Sequence, residues 1–408
     1  MTSRYIEIVP TNIPSNGKIS FKNGHPVIQF IMGASDHLLL GSSIRLTGNF
    51  QCFTSPTGTG AGNAFPTPPP ADGRLQMDNT VGAIFSTWDQ LVIKNLGQYS
   101  TIEHIKNYNR FMASYMPVTS SSQDTIGHFG EIFIGEQGVN GIVIEIHLSP
   151  DNMAFFDQDS LLDNALLHDS YYEYSDLKLT AELIEPDAST LSSLRGKAGN
   201  TYQYNSISSY YTSVNSALSV INFNLGLRNV LGVWCNFIEA NRINNWRYNS
   251  LSTRFIHNSS DAPAPIRNMV FTRGGVKFPN NFDTQTIHKN TPTNSCADPA
   301  VLSGYMNAIT QFAKMGRTMV SPVTTFQSTN YIAPATSQND NYQLEGSQFG
   351  GVGMAYDQVS GQGVDFSNQN WGLMLETDLT TDNPLGVYLF VHSKNTMVFN
   401  GSGVQILK

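Results

Sequence analysis

The chain has 408 residues, of which 40% are hydrophobic, 11% aromatic and 13% charged, with a formal net charge of −8. That length exceeds one ordinary core and suits two domains of roughly 200 residues, each burying roughly 70% of its unfolded surface without a metal or disulfide staple. The 23 Lys and Arg form no basic run and no stretch of about 18 apolar residues occurs, which argues against a nucleic-acid groove and a membrane-spanning helix.

The charged fraction is about half of the ~25% usual in soluble domains. Ser, Thr, Asn, Gln and Gly supply the polarity instead, which suits turns and half-buried strands and points to a mainly β protein. Cys52, Cys235 and Cys296 are far apart and lack metal-ligand spacing, so they are expected to be free thiols of a chain made inside a cell. Cys52 and Cys235 sit in apolar strand patterns, where a free Cys serves as a small core residue. The opening MTSRYIEIVPTN has no signal-peptide apolar core and alternates like a strand.

In chain order, strands are predicted at 25–32, 42–53 and 84–95, with a Pro- and Gly-dense surface loop between them at about 54–73. The period then changes. Ser100 and Glu103 have capping-box spacing, and Ile102, Ile105, Tyr108, Phe111 and Met112 recur at helical intervals, predicting a helix over about 101–114. Strands follow at 130–135, 140–148 and 171–185. Residues 186–215 lack a clear period, so a boundary near 197 divides the chain into domains 1–197 and 198–408. The second half has strands at 230–239, 265–275, 370–379 and 385–392, and a terminal hairpin turning at Asn400-Gly401. A second helix is predicted over about 298–315. Asp298 caps it, Pro299 takes its first position, and Leu302, Met306, Ile309 and Phe312 form the buried stripe. Each half is thus strands interrupted by one helix, a repeat of layout without residue-level identity.

Candidate chemistry concentrates at Asp89, Glu103, His104, Lys106 and Arg110. On a helix, His104 lies roughly 200° around from Ile102, so these charges are expected to coat an outer face, with Asp89 and Lys94 outward on the preceding strand. The sets His147/Ser149/Asp151 and His168/Asp169/Ser170 contain triad residue types but lack a nucleophile-elbow context. Glu376, Asp378 and Asp382 read as an acidic turn, GTGAG at 58–62 lacks a following Lys and helix, and RGG at 273–275 occurs once. Sequons at Asn258 and Asn400 have no secretory route. No catalytic residue, cofactor or metal site is expected, and the chain is read as a non-enzyme.

LLLGSSIRLTGNFQCF, RLQMDNTVGAIFSTWDQLVIKNLGQYSTIEHIKNYNRFMASYM, IEIHLSP with YYEYSDLKLTAELIEP, VLGVWCNFIEANRINNWRYNSL with IRNMVFTRGGVKFP, and GLMLETDLTTDNPLGVYLFVHSKNTMVFNGSGVQIL occur in this order. Together they resemble double jelly-roll major capsid proteins of the polinton-like virus, adintovirus and virophage type. The resemblance implies two eight-stranded antiparallel jelly rolls, each with a loop helix, and a homotrimeric, pseudo-hexameric capsomer of an icosahedral virion. It places the 54–73 loop at the capsomer top and the N-terminal strand near its base. Implied partners are the chain itself, neighbouring capsomers, and penton and minor capsid proteins. Direct nucleic-acid contact is not expected, and an internal membrane beneath the shell is left open. The alternatives are another virion protein (penton or spike), a β-sandwich carbohydrate-binding protein using an exposed Trp246 or Trp371, and a β-rich hydrolase, for which no defensible carboxylate pair is found.

Overall fold

The computed structural model of the protein describes residues 2–54, 63–64, 75–77, 84–115, 131–136, 138–157, 170–195, 201–245, 250–251, 268–278, 284–285, 352–356, 363–377, 384–400 and 403–408. Eight strands of the first half are β1 (Thr2–Ile8), β2 (Val27–Met32), β3 (Leu38–Thr54), β4 (Trp88–Asn95), β5 (Thr101–Lys106), β6 (Glu131–Phe133), β7 (Ile142–Leu148) and β8 (Tyr171–Glu185). They build two antiparallel sheets, β1-β8-β3-β6 and β2-β7-β4-β5. The second half supplies β9 (Thr201–Val214), β10 (Leu218–Phe223), β11 (Val230–Glu239), β12 (Asn268–Arg273), β13 (Val276–Lys277), β14 (Val352–Ala355), β15 (Trp371–Glu376) and β16 (Leu385–Asn400). Its sheets are β9-β16-β11-β14 and β10-β15-β12-β13. Adding eight to every label of the first pair of sheets generates the second pair.

Apart from the hairpins β4–β5 and β12–β13, consecutive strands cross between facing sheets in both halves, the interleaved Greek-key path of a jelly roll. The repeat that the sequence offered only as layout is a repeat of topology. The terminal hairpin expected at Asn400-Gly401 is present as β17 (Gly403–Leu407), which pairs back on β16 with Asn400 opposite Gly403.

Alternation explains the strands. In β2 every second residue, Ile28, Phe30 and Met32, is buried, and in β8 Leu177, Leu179 and Leu183 point inward. Leu39, Ile44 and Ile132 of one sheet meet Ile93, Ile102, Ile142 and Ile144 of the other around a small apolar cavity. The second sandwich closes over Val233, Cys235, Leu389 and Val391 on one sheet and Phe271, Trp371, Leu373 and Leu375 on the other, all buried. Asn140 and Gly141, both at positive φ, turn the chain into β7. A Cβ on Gly141 would meet the Met32 carbonyl oxygen at 2.8 Å. Gly141→Ala is therefore expected to cost about 2–4 kcal/mol, read as a lowered thermal midpoint.

Two expectations are corrected. The helix predicted over 101–114 is a strand followed by a shorter helix: 101–106 is β5, paired to β4 from Gln90 opposite Lys106 to Lys94 opposite Thr101, and only α1 (Tyr108–Tyr115) is helical. Asn107 at φ 53 separates the two. Ser100 and Glu103 form no capping box. The turn before β5 is instead organised by Asn95, whose Oδ1 accepts from the Gln98 N–H at 2.7 Å. Sheet pairing of β-branched Thr101, Ile102 and Ile105 overrides a local helical pattern.

The second correction concerns 186–215, read as aperiodic. It holds α2 (Ala188–Arg195) and the fourteen-residue β9. Asp187 caps α2, accepting from the Thr190 N–H and the Ser189 hydroxyl, both at 2.7 Å, and these bonds hold its carboxyl down at about 2. The boundary near 197 lies outside the described residues, in the chain between α2 and β9. The helix expected over 298–315 lies outside them too. Of the loop expected at about 54–73, Asn63–Ala64 pair with Phe53 and Thr54 at the end of β3, and most of the rest is likewise outside.

Candidate functional site at the seam between the two sandwiches

The residues singled out as candidate chemistry do not converge on a pocket. Two of them meet at the junction of the halves. There the edge strand β5 lies beside the edge strand β9, and the Tyr204 hydroxyl donates to the Ile102 carbonyl at 2.8 Å. Glu103, expected outside a helix, is buried at this edge. Its carboxyl accepts from the Ser206 hydroxyl and the Ile207 N–H, yet burial dominates and pushes it up to about 7. Asn107 reaches Ser209 at 3.4 Å.

α1 then seats on the outward face of β16. Arg110, also expected outside, is buried with its guanidinium 4.2 Å above the Tyr388 ring, and it donates to the Ser250 carbonyl. Phe111 packs on Phe390 and His392, with ring centroids 5.3 and 5.9 Å away. Asn152 donates to the Asn244 carbonyl at 2.9 Å. Sequence reasoning missed Tyr388, Phe390 and His392. The signal was present in LGVYLFVH, where both parities of the strand are apolar or aromatic, as in strands covered on both faces.

The remaining candidates disperse. His104 is exposed and bonds Gln90 at 2.8 Å, Asp89 accepts from Gln90 at 3.1 Å, and Lys106 is exposed. Lys94 is outward as expected and pairs with Glu145 at 2.7 Å. Ser149 accepts from Asn109 at 2.9 Å, Asp151 from the Tyr172 N–H at 3.3 Å, and His147 lies 3.7 Å from Glu145, so no relay joins the three. His168, Asp169, Asp378, Asp382, Asn258, Cys296, Trp246 and the 58–62 loop lie outside the described residues. Ser170 is buried and Glu376 exposed. Trp371, offered as an exposed sugar platform, is instead buried in the core, where it donates to the Tyr356 hydroxyl. Arg273-Gly274-Gly275 is a hairpin turn: both glycines have positive φ, and Arg273 pairs with Val276.

Among the described residues, no group of His, Cys, Asp and Glu is placed to hold a metal ion, and no helix is long and apolar enough to cross a membrane. Burial pushes the Cys52 thiol up to about 12 and also raises Cys235. Both are expected to stay unlabelled by a thiol reagent in the native protein and to react on unfolding, as read by peptide mapping.

No protein-family model and no curated protein sequence matches the chain. Solved structures do match along its whole length. The PBCV-1 virus capsid aligns over 100% of this chain and 96% of that one, at 9% identity and a TM-score of 0.56. The Sputnik virophage structure aligns over 100% and 88%, at 11% identity and a TM-score of 0.56. The Faustovirus major capsid protein aligns over 98% and 90%, at 8% identity and a TM-score of 0.52.

The fold is a double jelly roll. Identity this low carries architecture alone, and the architecture is matched end to end. Within the double jelly roll the seam is the distinctive construction. It locks two sandwiches of equal strand order together through one edge, one helix and one sheet face.

Proposed function

We propose that this chain is a viral major capsid protein, a non-enzymatic subunit whose trimers form pseudo-hexagonal capsomers of an icosahedral virion. The observation that carries the reading is the pair of topologically identical sandwiches joined in one chain by a buried seam. Three such chains present six similar walls, which lets a threefold assembly tile like a hexagon. The likeness to the PBCV-1, Sputnik and Faustovirus structures supports the same reading. Domains 1–197 and 198–408 are the two shell walls. The site is structural: Glu103, Arg110 and Phe111 hold the walls at a set angle, and no residue is assigned a catalytic role. Partners are other copies of the chain, with penton and minor capsid proteins completing the shell, and the genome is contacted by other components.

The test is the mass of the purified protein by light scattering, with negative-stain images of the same peak. Three chains with a hexagonal outline, or closed shells, are expected. A single chain at every concentration would retire the capsid reading.

A further inference from the structure

We propose that Lys18 and Asn23 join to each other through an isopeptide bond, a one-time self-modification in which Glu173 carries the proton. The site lies in the loop between β1 and β2 and stands independently of the capsid reading.

Local structure gathers the three groups. Lys18 and Ile19 pair with Ser175 and Tyr174 of β8, which buries Ile19 and leaves Lys18 on the outward face. The chain then turns back on itself. Gly24, at φ 77, donates its N–H to the Phe21 carbonyl at 3.1 Å, and the Asn23 N–H donates to the Ser20 hydroxyl at 3.2 Å. The turn sets Asn23 beside Glu173 of β8. One Glu173 oxygen accepts from Lys18 Nζ at 2.9 Å and the other from Asn23 Nδ2 at 3.5 Å. A carboxylate so placed is usually wet, yet Glu173 is only 7% exposed. Phe53, stacked on Tyr171 at 4.8 Å, borders the group, with Lys18 Nζ 5.8 Å from its ring centroid.

An amine and a carboxamide held on one buried carboxylate are the parts of an amide exchange. A Lys18 proton passes to Glu173, and the freed Nζ attacks Asn23 Cγ. Glu173 protonates Nδ2, the Cγ–Nδ2 bond breaks, and ammonia leaves as the Nζ–Cγ amide forms. The surplus Nζ proton passes through Glu173 to solvent. No oxidant, reductant or cofactor is consumed, and each chain reacts once.

Two observations bear on the course of the reaction. An Asn-Gly pair ordinarily cyclises through the glycine nitrogen, but the Gly24 N–H is engaged by Phe21, so Lys18 is the nucleophile at hand. The hydrogen bond from Lys18 to Glu173, then the Glu173 charge, holds the amine above its ordinary value, with Tyr171 adding to the effect. Lys22 over the Tyr171 ring and Asp151 are the further charged groups around Tyr171. The ammonium form therefore dominates near neutrality, and the bond forms faster at high pH. The closed ring is short, so the gain in melting temperature is small. The gain is a fixed turn that presents Phe21 and Lys22 at the surface, closed to cleavage after Lys18.

The experiment holds the full-length protein at about pH 6 and about pH 9 and follows its intact mass, with tandem mass spectrometry of tryptic peptides. Lys18→Arg and Glu173→Gln are treated alike. Expected is a wild-type chain lighter by one ammonia, sooner at the higher pH, with Lys18 uncleaved and bonded to Asn23. Lys18→Arg should keep its full mass, and Glu173→Gln should react far more slowly or not at all. An ammonia loss that persists in Lys18→Arg is a succinimide at Asn23 and overturns the proposal. A wild type of unaltered mass at both pH values, or a Glu173→Gln that reacts as fast as wild type, overturns it as well. The wild-type peptides decide the bond without either variant, so a variant that fails to fold leaves the test standing.

Discussion

Phe111→Ala is expected to lower stability by about 3–5 kcal/mol, a fall of roughly 10 °C in thermal midpoint, and to split one cooperative melt into two. Phe111 is fully buried. It spans the seam from α1 of the first sandwich to Phe390 and His392 of the second, with Tyr108 behind it at 6.4 Å. Truncation removes the aromatic contact of α1 with Phe390 and His392 and leaves a cavity that neither rigid sheet can collapse to fill. What then holds the halves together is polar: Tyr204 to Ile102, Glu103 with Ser206, and Arg110 over Tyr388. Each sandwich keeps its own core, so each should melt by itself. Differential scanning calorimetry reads both effects, and a single transition with an unmoved midpoint would contradict this account of the seam.

Glu103→Gln is expected to do the reverse, by an amount that grows as pH rises above about 4.5 and is complete above about 7. In the folded chain burial holds the Glu103 carboxyl protonated up to about pH 7, against an ordinary value of 4.5 for the free group. Between those values the folded chain binds more protons than the unfolded one, so the stability linked to this group is full below pH 4.5 and is lost as pH rises through 7. The loss is about 3 kcal/mol for a shift of this size. A glutamine keeps an oxygen to accept from Ser206 and the Ile207 N–H but never ionises. The variant should therefore match wild type at pH 4 and exceed it by about 3 kcal/mol at pH 8.

Asp151, which burial also pushes up to about 7, adds a slope of the same sign. Some pH dependence therefore survives in Glu103→Gln and shrinks further in the double variant with Asp151→Asn. Thermal midpoints across pH 4–8 provide the measurement. Equal slopes in wild type and Glu103→Gln would show that Glu103 is not the titrating group.

Much of the fold was legible because a β-strand in a sandwich reports its own covered face. Alternation placed β2, β7, β8 and β12, and Asn400-Gly401 marked the last hairpin. β9 escaped notice because its Ser, Tyr and Asn side chains carry no apolar period, although it is hydrogen-bonded to β16 along all fourteen residues. Its identity lies in its partner, nearly two hundred residues away.

The site was less legible. Glu103 and Arg110 were assigned to a solvated helix face because, locally, Ile102, Ile105, Tyr108 and Met112 do fall at helical spacing. All four are buried, as expected, but two belong to a strand and two to a helix.

The sequence by itself determined the β class, the free buried thiol at Cys235, the two-part layout and the order of most strands. These follow from short-range pattern: side chains of a strand alternate, turns need particular residues, and low charge disfavours long exposed helices. Only the tertiary structure decided that the two parts share one strand order, that 101–106 is a sheet edge, and that an acid and a guanidinium lie buried between the sandwiches. The physical reason is that a periodicity records whether one face of an element is covered by its own core. It carries no mark of a second covering, by another domain or another copy, which depends on where distant strands come to rest.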